Sequence, residues 1–186
     1  KQIEEDIELI RWQGDTESEN PLLALCDGYL KKLCGDISAS LAYKNGGFID
    51  STNVLDTLNL VVNGLPASVR FKKTDLRIRV SSNVAAAYEL AAAAGNTLTY
   101  VTAPLQMTYL GIKVVVCEGM PDNTIVASLQ TDLIYAFDAE GDSKALKAVN
   151  LTDTVAEPYI RTRANVKAGF FYVNPAQISV WSACFD

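Results

Sequence analysis

The chain of 186 residues contains no histidine. Histidine is the most frequent general base in enzymes and a common metal ligand, so its absence excludes Ser-His-Asp and Cys-His catalytic groups. The sequence also lacks the motifs GxGxxG and GxxxxGKS/T, which cradle nucleotide phosphates, and the GxSxG motif of serine hydrolases. We therefore predict that the chain is not an enzyme and that it binds no cofactor.

Cysteine is sparse, and its spacing fits no metal site. The four cysteines form neither a CxxC motif nor the spacing of a zinc site. Because histidine is absent, a zinc ion would need all four thiolates together. A chain of this size with 49% hydrophobic residues does not need disulfides to fold. We therefore predict buried thiols without a metal at Cys26, Cys34, Cys117 and Cys184.

Positive charge is in deficit, since 16 lysines and arginines face 22 aspartates and glutamates and the net charge is −6. A dedicated nucleic-acid binder carries a basic surface, so this balance argues against one. Long apolar runs are missing as well: the most apolar stretch, residues 84–94, is too short to cross a bilayer, which needs about 20 residues. We predict no membrane partner. Residues 1–12 are acidic and amphipathic, unlike an export signal, and because the chain begins at Lys1 within a helical pattern we expect a longer gene product.

Apolar periodicity predicts helices and strands that alternate along the chain. Ile3, Ile7 and Ile10 recur at helical spacing near the N-terminus. A helix capped at residues 50–51 should end at Gly64. The other predicted helices are residues 22–33 and an alanine-rich helix that Asn83 caps and Gly95 ends, and the predicted strands are residues 76–80, 112–117, 124–129 and 132–137. This pattern predicts an α+β protein.

The run of residues 159–173 alternates apolar residues with Arg161, Arg163 and Lys167. Such alternation is typical of a strand with one basic face in solvent. An unbroken strand of this length would extend on the order of 50 Å, well beyond the usual strand. The run is therefore either one long strand or a hairpin with a turn near Lys167 to Gly169.

Arg77 and Arg79 alternate on a predicted strand in the same way. In an acidic protein, paired arginines are suited to bidentate hydrogen bonds with carboxylates of a neighbouring copy. The alternative is that they occupy exposed strand positions without a partner.

An acidic run surrounds Gly141, at Asp138, Glu140 and Asp142. Closely spaced carboxylates can bind a hard cation, although the full pattern of a calcium loop is missing. A solvated turn is the alternative interpretation, and we predict no metal site.

Two segments, Leu110 to Asp138 and Pro158 to Trp181, together resemble tailed-bacteriophage major capsid proteins of the Hong Kong 97 type. The first, LGIKVVVCEGMPDNTIVASLQTDLIYAFD, spans Leu110 to Asp138 and joins two apolar strands through a Met-Pro turn. The second, PYIRTRANVKAGFFYVNPAQISVW, spans Pro158 to Trp181 and is similar to the long peripheral-domain strand and its return. The helix at residues 51–63, with the strand and helix at residues 76–94, resembles the axial domain.

The resemblance implies a Hong Kong 97-like α+β fold with mixed or antiparallel sheets and helices packed on one face. The family's N-terminal arm and extended loop are absent from this sequence. Residues 1–48 would form the peripheral-domain helix and connecting segment, residues 49–155 the axial domain, and residues 156–186 the long peripheral strands and their return to the core.

The resemblance also implies a function, that of a structural major capsid (head) protein of a tailed phage or prophage. Copies would assemble as pentamers and hexamers into an icosahedral shell around DNA, which they would contact only non-specifically. The protein would reside in the virion, and in the cytoplasm of the bacterial host during assembly. Two alternatives stay open: an encapsulin-like compartment shell protein, and a small metal- or carboxylate-dependent enzyme.

Assembly of such a shell needs surfaces that select the correct neighbour, and opposite charges supply that selection. We expect a basic strand face of one copy to meet an acidic helix of the next. The predicted contact joins Arg161, Arg163 and Lys167 to Glu4, Glu5 and Glu8 of a neighbouring copy.

Overall fold

The computed structural model describes residues 2–36, 46–94, 107–137, 147–150, 160–163 and 168–182. Within these ranges the helices are α1 (Gln2–Gln13), α2 (Tyr29–Gly35), α3 (Val54–Asn63), α4 (Ala67–Arg70) and α5 (Ser82–Ala94). The strands are β1 (Leu76–Val80), β2 (Thr108–Tyr109), β3 (Ile112–Val116), β4 (Ile125–Leu129), β5 (Leu133–Phe137), β6 (Lys147–Asn150), β7 (Ile160–Arg163), β8 (Ala168–Tyr172) and β9 (Ser179–Trp181). Short 3-10 turns lie at Leu23–Leu25 and Pro175–Gln177.

A five-stranded mixed sheet has the strand order β2-β3-β1-β4-β9. β1 and β3 run parallel, with Ile78 opposite Val114, whereas β4 runs antiparallel to β1 and places Ala127 opposite Ile78. β2 and β9 pair antiparallel at the two edges. Because parallel neighbours need a crossover, α5 connects β1 to the β2–β3 pair. The predicted mixture of helices with a mixed sheet is confirmed.

Alternation along β1 determines which sheet face carries the main core. Leu76, Ile78 and Val80 are buried, and because alternate residues share a face they join α3 and α5 in one apolar cluster. The buried residues of α3 are Val54, Thr57, Leu58, Val61 and Val62. Burying each aliphatic side chain of this kind contributes about 1.5–3 kcal/mol. α3 and α5 therefore cover the same face of the sheet.

The other face of the sheet is covered as well. Val126 and Ser128 of β4 alternate with the residues of the main cluster and are fully buried. Tyr29 of α2 and Arg11 of α1 act electrostatically on Arg79, which lies on this face of β1. The N-terminal helices therefore lie beside the second face.

Two glycines let α1 approach the segment that precedes α2. A Cβ atom on Gly14 would collide with the backbone carbonyl of Cys26, and one on Gly28 would collide with backbone carbonyls of α1. The Gly28 N–H donates to the Gly14 carbonyl at 2.8 Å, and Gly28 is extended. The prediction of one continuous helix over residues 22–33 is wrong, because this close contact interrupts it and α2 begins only at Tyr29.

Asn83 does not cap α5, contrary to prediction, because the helix already begins at Ser82. Its side-chain oxygen accepts from the N–H groups of Val84 at 2.9 Å and Asn123 at 3.1 Å. Its amide nitrogen donates to Oδ1 of Asn123 at 3.0 Å. That same oxygen accepts from the Ile49 N–H at 3.0 Å. Asn83 therefore joins α5 to the β3–β4 turn.

The two halves of the run over residues 159–173 pair with different strands. β7 pairs with β6, with Arg161 opposite Val149 and Arg163 opposite Lys147, and β8 pairs with β5. Residues 164–167 lie outside the described part of the chain. Among the described residues, β7 and β8 do not pair with each other as the arms of a hairpin would, and Lys167 of the predicted turn lies outside them.

The chain divides into two compact units, Lys1–Ile134 with Phe171–Asp186, and Tyr135–Phe170. The first unit contains the described helices and the five-stranded sheet. The second contains the β6–β7 pair and the stacked rings of Tyr135 and Phe170, whose centroids are 5.3 Å apart. The axial and peripheral domain ranges expected from the sequence stay a prediction.

Candidate functional site

Acidic side chains line a groove where β1 and β3 end. The groove has a volume of about 530 Å³ and lies between the first half of α1 and the turn that follows β3. We call it the acidic groove, and its lining residues are Glu4, Glu5, Asp6, Glu8, Leu9, Glu118 and Gly119. Five of these carry carboxylates, and none of the lining residues in the described part of the chain is a lysine or arginine.

Gly119 fixes the shape of the acidic groove. A Cβ atom at this position would collide with the backbone of Glu8 and Leu9, so only glycine lets the turn lie directly on α1. The Gln13 side chain donates from Nε2 to the Gly119 carbonyl at 2.9 Å. These contacts hold the Glu118 carboxylate beside those of α1.

The negative charge of the acidic groove affects the pKa of a buried thiol. Cys117 is buried at the end of β3, and burial raises the pKa of its thiol to about 11, with the charge of Glu8 as a further cause. A thiol with so high a pKa stays protonated at neutral pH, and a protonated thiol is a weak nucleophile. Among the described cysteines, none forms a disulfide, and Cys26 and Cys34 are half-buried. Cys184 lies outside the described residues.

Cations collect at the opposite end of the sheet, where β1 and β3 begin. We call this surface the basic tip, and its residues are Phe71, Lys72, Lys73, Arg77, Leu110 and Lys113. The exposed Asp75 and the buried Asp132 lie at the same end of the sheet, so the four cations outnumber two carboxylates there. The Lys73 ammonium donates to the Leu110 carbonyl at 2.8 Å. Arg77 and Lys113 lie opposite each other on β1 and β3. The side chains of Lys72 and Lys113 are exposed.

The β2–β3 turn at the basic tip has an unusual backbone. Leu110 has φ 51° and Gly111 has φ 78°, which is the pair of left-handed residues that a two-residue hairpin turn requires. Asparagine and glycine adopt this conformation readily, whereas leucine does so rarely. Leu110 adopts this rare conformation although the residue is 58% exposed.

Arg77 and Arg79 hydrogen-bond within the chain. Arg77 Nη1 donates to the Thr74 carbonyl at 2.6 Å. Arg79 Nη1 donates to Ser128 Oγ at 2.8 Å, and burial lowers the pKa of its guanidinium. The interpretation of Arg79 as an exposed strand position is wrong, because the N-terminal helices lie beside its face of the sheet.

The structure brings together three of the residues predicted to form an interface. Glu4 and Glu5 are exposed, Glu8 is half-buried, and all three line the acidic groove. Arg161 and Arg163 lie in β7. The structure does not describe their side chains, and Lys167 lies outside the described residues. Sequence reasoning missed Glu118, which only the fold brings next to α1.

A network of charges also closes the loop between α1 and α2. Lys31 pairs with Asp15, with Asp27 at 3.3 Å and with Glu17 at 3.8 Å. The hydrogen bond from Lys31 lowers the pKa of Asp15, and hydrogen bonds from Thr16 lower the pKa of Asp27. These exposed ion pairs contribute little stability individually, and their position indicates a structural role.

The described residues contain no group of three His, Cys, Asp or Glu side chains arranged to hold a metal ion. The acidic run at Asp138, Glu140 and Asp142 lies outside those residues. Across the helices of the described part of the chain, none is long and apolar enough to span a bilayer.

Neither a protein-family model nor a curated protein matches this chain. Solved structures do match it. A chain from the satellite phage P4 procapsid including size determination (Sid) protein superposes with a TM-score of 0.64 over 98% of this chain, at 12% identity. A chain from Mycobacterium phage Che8 superposes with a TM-score of 0.55 over 80% of this chain, at 15% identity. The chain has a phage capsid-like fold.

The capsid-like fold covers only part of either matching chain. This chain spans 63% of the length of the P4 procapsid chain and 56% of that of the Che8 chain. At these identities the similarity concerns the fold alone. Both charged ends of the five-stranded sheet therefore belong to a protein with a capsid-like fold.

Proposed function

We propose that this chain is a structural subunit of a phage or prophage head, specifically a major capsid protein of the Hong Kong 97 type. The observation that carries the proposal is the likeness to a procapsid chain along 98% of the sequence. The lack of histidine and of nucleotide-binding motifs supports a structural role over an enzymatic one. The buried, neutral thiol of Cys117 supports the same choice.

In this proposal the chemistry of the protein is assembly. Copies form pentamers and hexamers that close into an icosahedral shell around DNA, and the net charge of −6 leaves only non-specific contact with the packaged DNA. The protein is found in the cytoplasm of the host during assembly and in the virion afterwards. Closed point-group symmetry requires that each copy carry surfaces complementary to its neighbours.

The acidic groove is one such surface. Glu4, Glu5 and Glu8 lie side by side in it, as an electrostatic contact with a basic neighbour requires. The sequence-based prediction sets Arg161, Arg163 and Lys167 of that neighbour against them, and it stays a prediction.

Electron microscopy of the product of the whole open reading frame tests the proposed function. We expect closed shells of uniform size. Shells that are isolated from phage particles should also contain DNA. Shells that instead enclose an enzyme cargo would assign the chain to a compartment, and small discrete particles alone would contradict self-assembly.

A further inference from the structure

The charged side chains of the first unit are separated between the two ends of its sheet. The acidic groove lies where β1 and β3 end, and the basic tip lies where both strands begin. Each strand has five residues, which extend about 16 Å at about 3.3 Å per residue. Because the sheet holds the two surfaces apart, one copy cannot bring its own tip to its own groove.

Each of the two surfaces also includes an apolar side chain. At the basic tip Phe71 is 84% exposed and lies between cations. At the other end Leu9, which is half-buried, lines the groove. Specific protein interfaces combine an apolar centre with a charged rim, so the two surfaces match in apolar character and are opposite in charge.

The basic tip is built in advance of any contact. The hydrogen bond from Lys73 to the Leu110 carbonyl ties the segment before β1 to the β2–β3 turn. Leu110 occupies a left-handed position that asparagine or glycine fills with less strain.

We infer that the basic tip of one copy docks into the acidic groove of a second copy of this chain. The inference rests on the proposed function and names the partner of the groove. Lys72 and Lys113 face the carboxylates of Glu5 and Glu118, and Phe71 packs beside Leu9. Because the two surfaces differ, the contact is head-to-tail, and a repeated head-to-tail contact closes into a ring when its rotation allows.

The test uses paired charge reversals in the product of the whole open reading frame, with shells counted by electron microscopy and sedimentation. Lys72→Glu with Lys113→Glu should reduce the shell yield at least tenfold, as should Glu5→Lys with Glu118→Lys. Combining all four substitutions should restore most of the yield. Lys72→Arg with Lys113→Arg keeps the charge and should assemble as the wild type does.

A second variant separates lost contact from lost folding. Phe71→Ser removes an exposed ring and should leave the thermal unfolding midpoint unchanged while it lowers the shell yield. Wild-type yield from both Phe71→Ser and the lysine reversals would overturn the inference and leave the proposed function standing. Rescue of Glu5→Lys with Glu118→Lys by reversing Arg161 and Arg163 instead would also overturn it, whereas absence of shells from the wild type would contradict the proposed function itself.

Discussion

At Gly119 the lack of a side chain determines how the β3–β4 turn meets α1. The glycine backbone lies against the backbone of Glu8 and Leu9 with no space for a Cβ atom. Because both contacting groups belong to backbone, neither can rotate away as a side chain would. The geometry of the acidic groove therefore depends on this single residue.

We predict that Gly119→Ala destabilises the protein by about 1–3 kcal/mol, the usual range for inserting a methyl group into a packed site. Denaturant unfolding followed by circular dichroism measures the change. Gly47→Ala is the matched control, because a Cβ atom at Gly47 meets no atom within 4 Å. Equal stability of the two variants would contradict the close contact between the turn and α1.

Asp132 is a second residue whose surroundings decide its behaviour. Its side chain is 5% exposed, and Oδ2 has no hydrogen-bond partner among the described residues. Burial raises the pKa of this carboxyl, although a backbone hydrogen bond from Leu129 and the charge of Lys72 act in the opposite direction. The folded protein therefore binds a proton at Asp132 more tightly than the unfolded chain does.

The raised pKa predicts a direction for the pH dependence. The contribution of Asp132 to stability is greatest below its unfolded-state pKa, near 3.8, and it is lost as the pH rises through the raised value of the folded state. Asp132→Asn should therefore raise the unfolding midpoint at pH 7 and have a smaller effect in acid. Asp122→Asn, at an exposed position, is the control, and the same gain at both pH values would show that ionisation of Asp132 is not the cause.

Among the secondary-structure elements, α5 and the β3–β4 turn are joined mainly through polar groups. Asn83 and Asn123 exchange two hydrogen bonds, from the Asn123 N–H to Asn83 Oδ1 and from Asn83 Nδ2 to Asn123 Oδ1. The left-handed φ of 57° at Asn123 suits an asparagine. This pair positions the turn that carries Glu118 relative to the helix layer.

Replacing Asn83 by alanine should cost about 1–3 kcal/mol, since it leaves half-buried partners of its hydrogen bonds unsatisfied. Amide hydrogen exchange should show faster exchange at the Asn123 N–H in particular. Asn59→Ala on the exposed side of α3 serves as the comparison. If exchange at the turn stays unchanged in the Asn83 variant, the asparagine pair does not hold it.

Local apolar patterning was sufficient to predict α1, α3 and strands β1, β3, β4 and β5, although β4 is buried at every position and α3 begins at Val54, after the cap predicted at residues 50–51. It failed where a distant contact decides the backbone. Gly28 is extended because it meets Gly14, and Asn83 bonds to a turn far along the chain. Neither contact leaves a signal in the neighbouring residues.

The candidate site was predictable to the same extent. Glu4, Glu5 and Glu8 were expected to lie on one acidic helix, and in the structure all three line the acidic groove, whereas the interface they were predicted to form stays a prediction. Glu118 lies beside them only because Gly119 packs directly against α1. The basic tip likewise combines a segment before β1 with the β2–β3 turn. The residue pattern of either segment alone does not show that the two are neighbours.

For the molecule as a whole, the sequence-based contact of Arg161 and Arg163 competes with the basic tip for the acidic groove, and it makes a different prediction. If Arg161 and Arg163 meet an acidic neighbour, Arg161→Glu with Arg163→Glu should abolish shell formation, because like charges then face each other. Arg161→Lys with Arg163→Lys keeps the charge and should retain assembly. Counting shells by electron microscopy measures both, and intact shells from the glutamate variant would contradict the contact.

The strand order determines which part of the chain can change in length. The chain leaves the first unit after β4 and returns to it before β9, and these two strands are neighbours in the sheet. The Val173 N–H donates to the Asp132 carbonyl at 2.9 Å, so the two ends of the intervening segment are fastened together. Closing a longer segment across fixed ends adds little entropy cost. We predict that residues 135–170 can change in length without displacing β4 or β9 from the sheet.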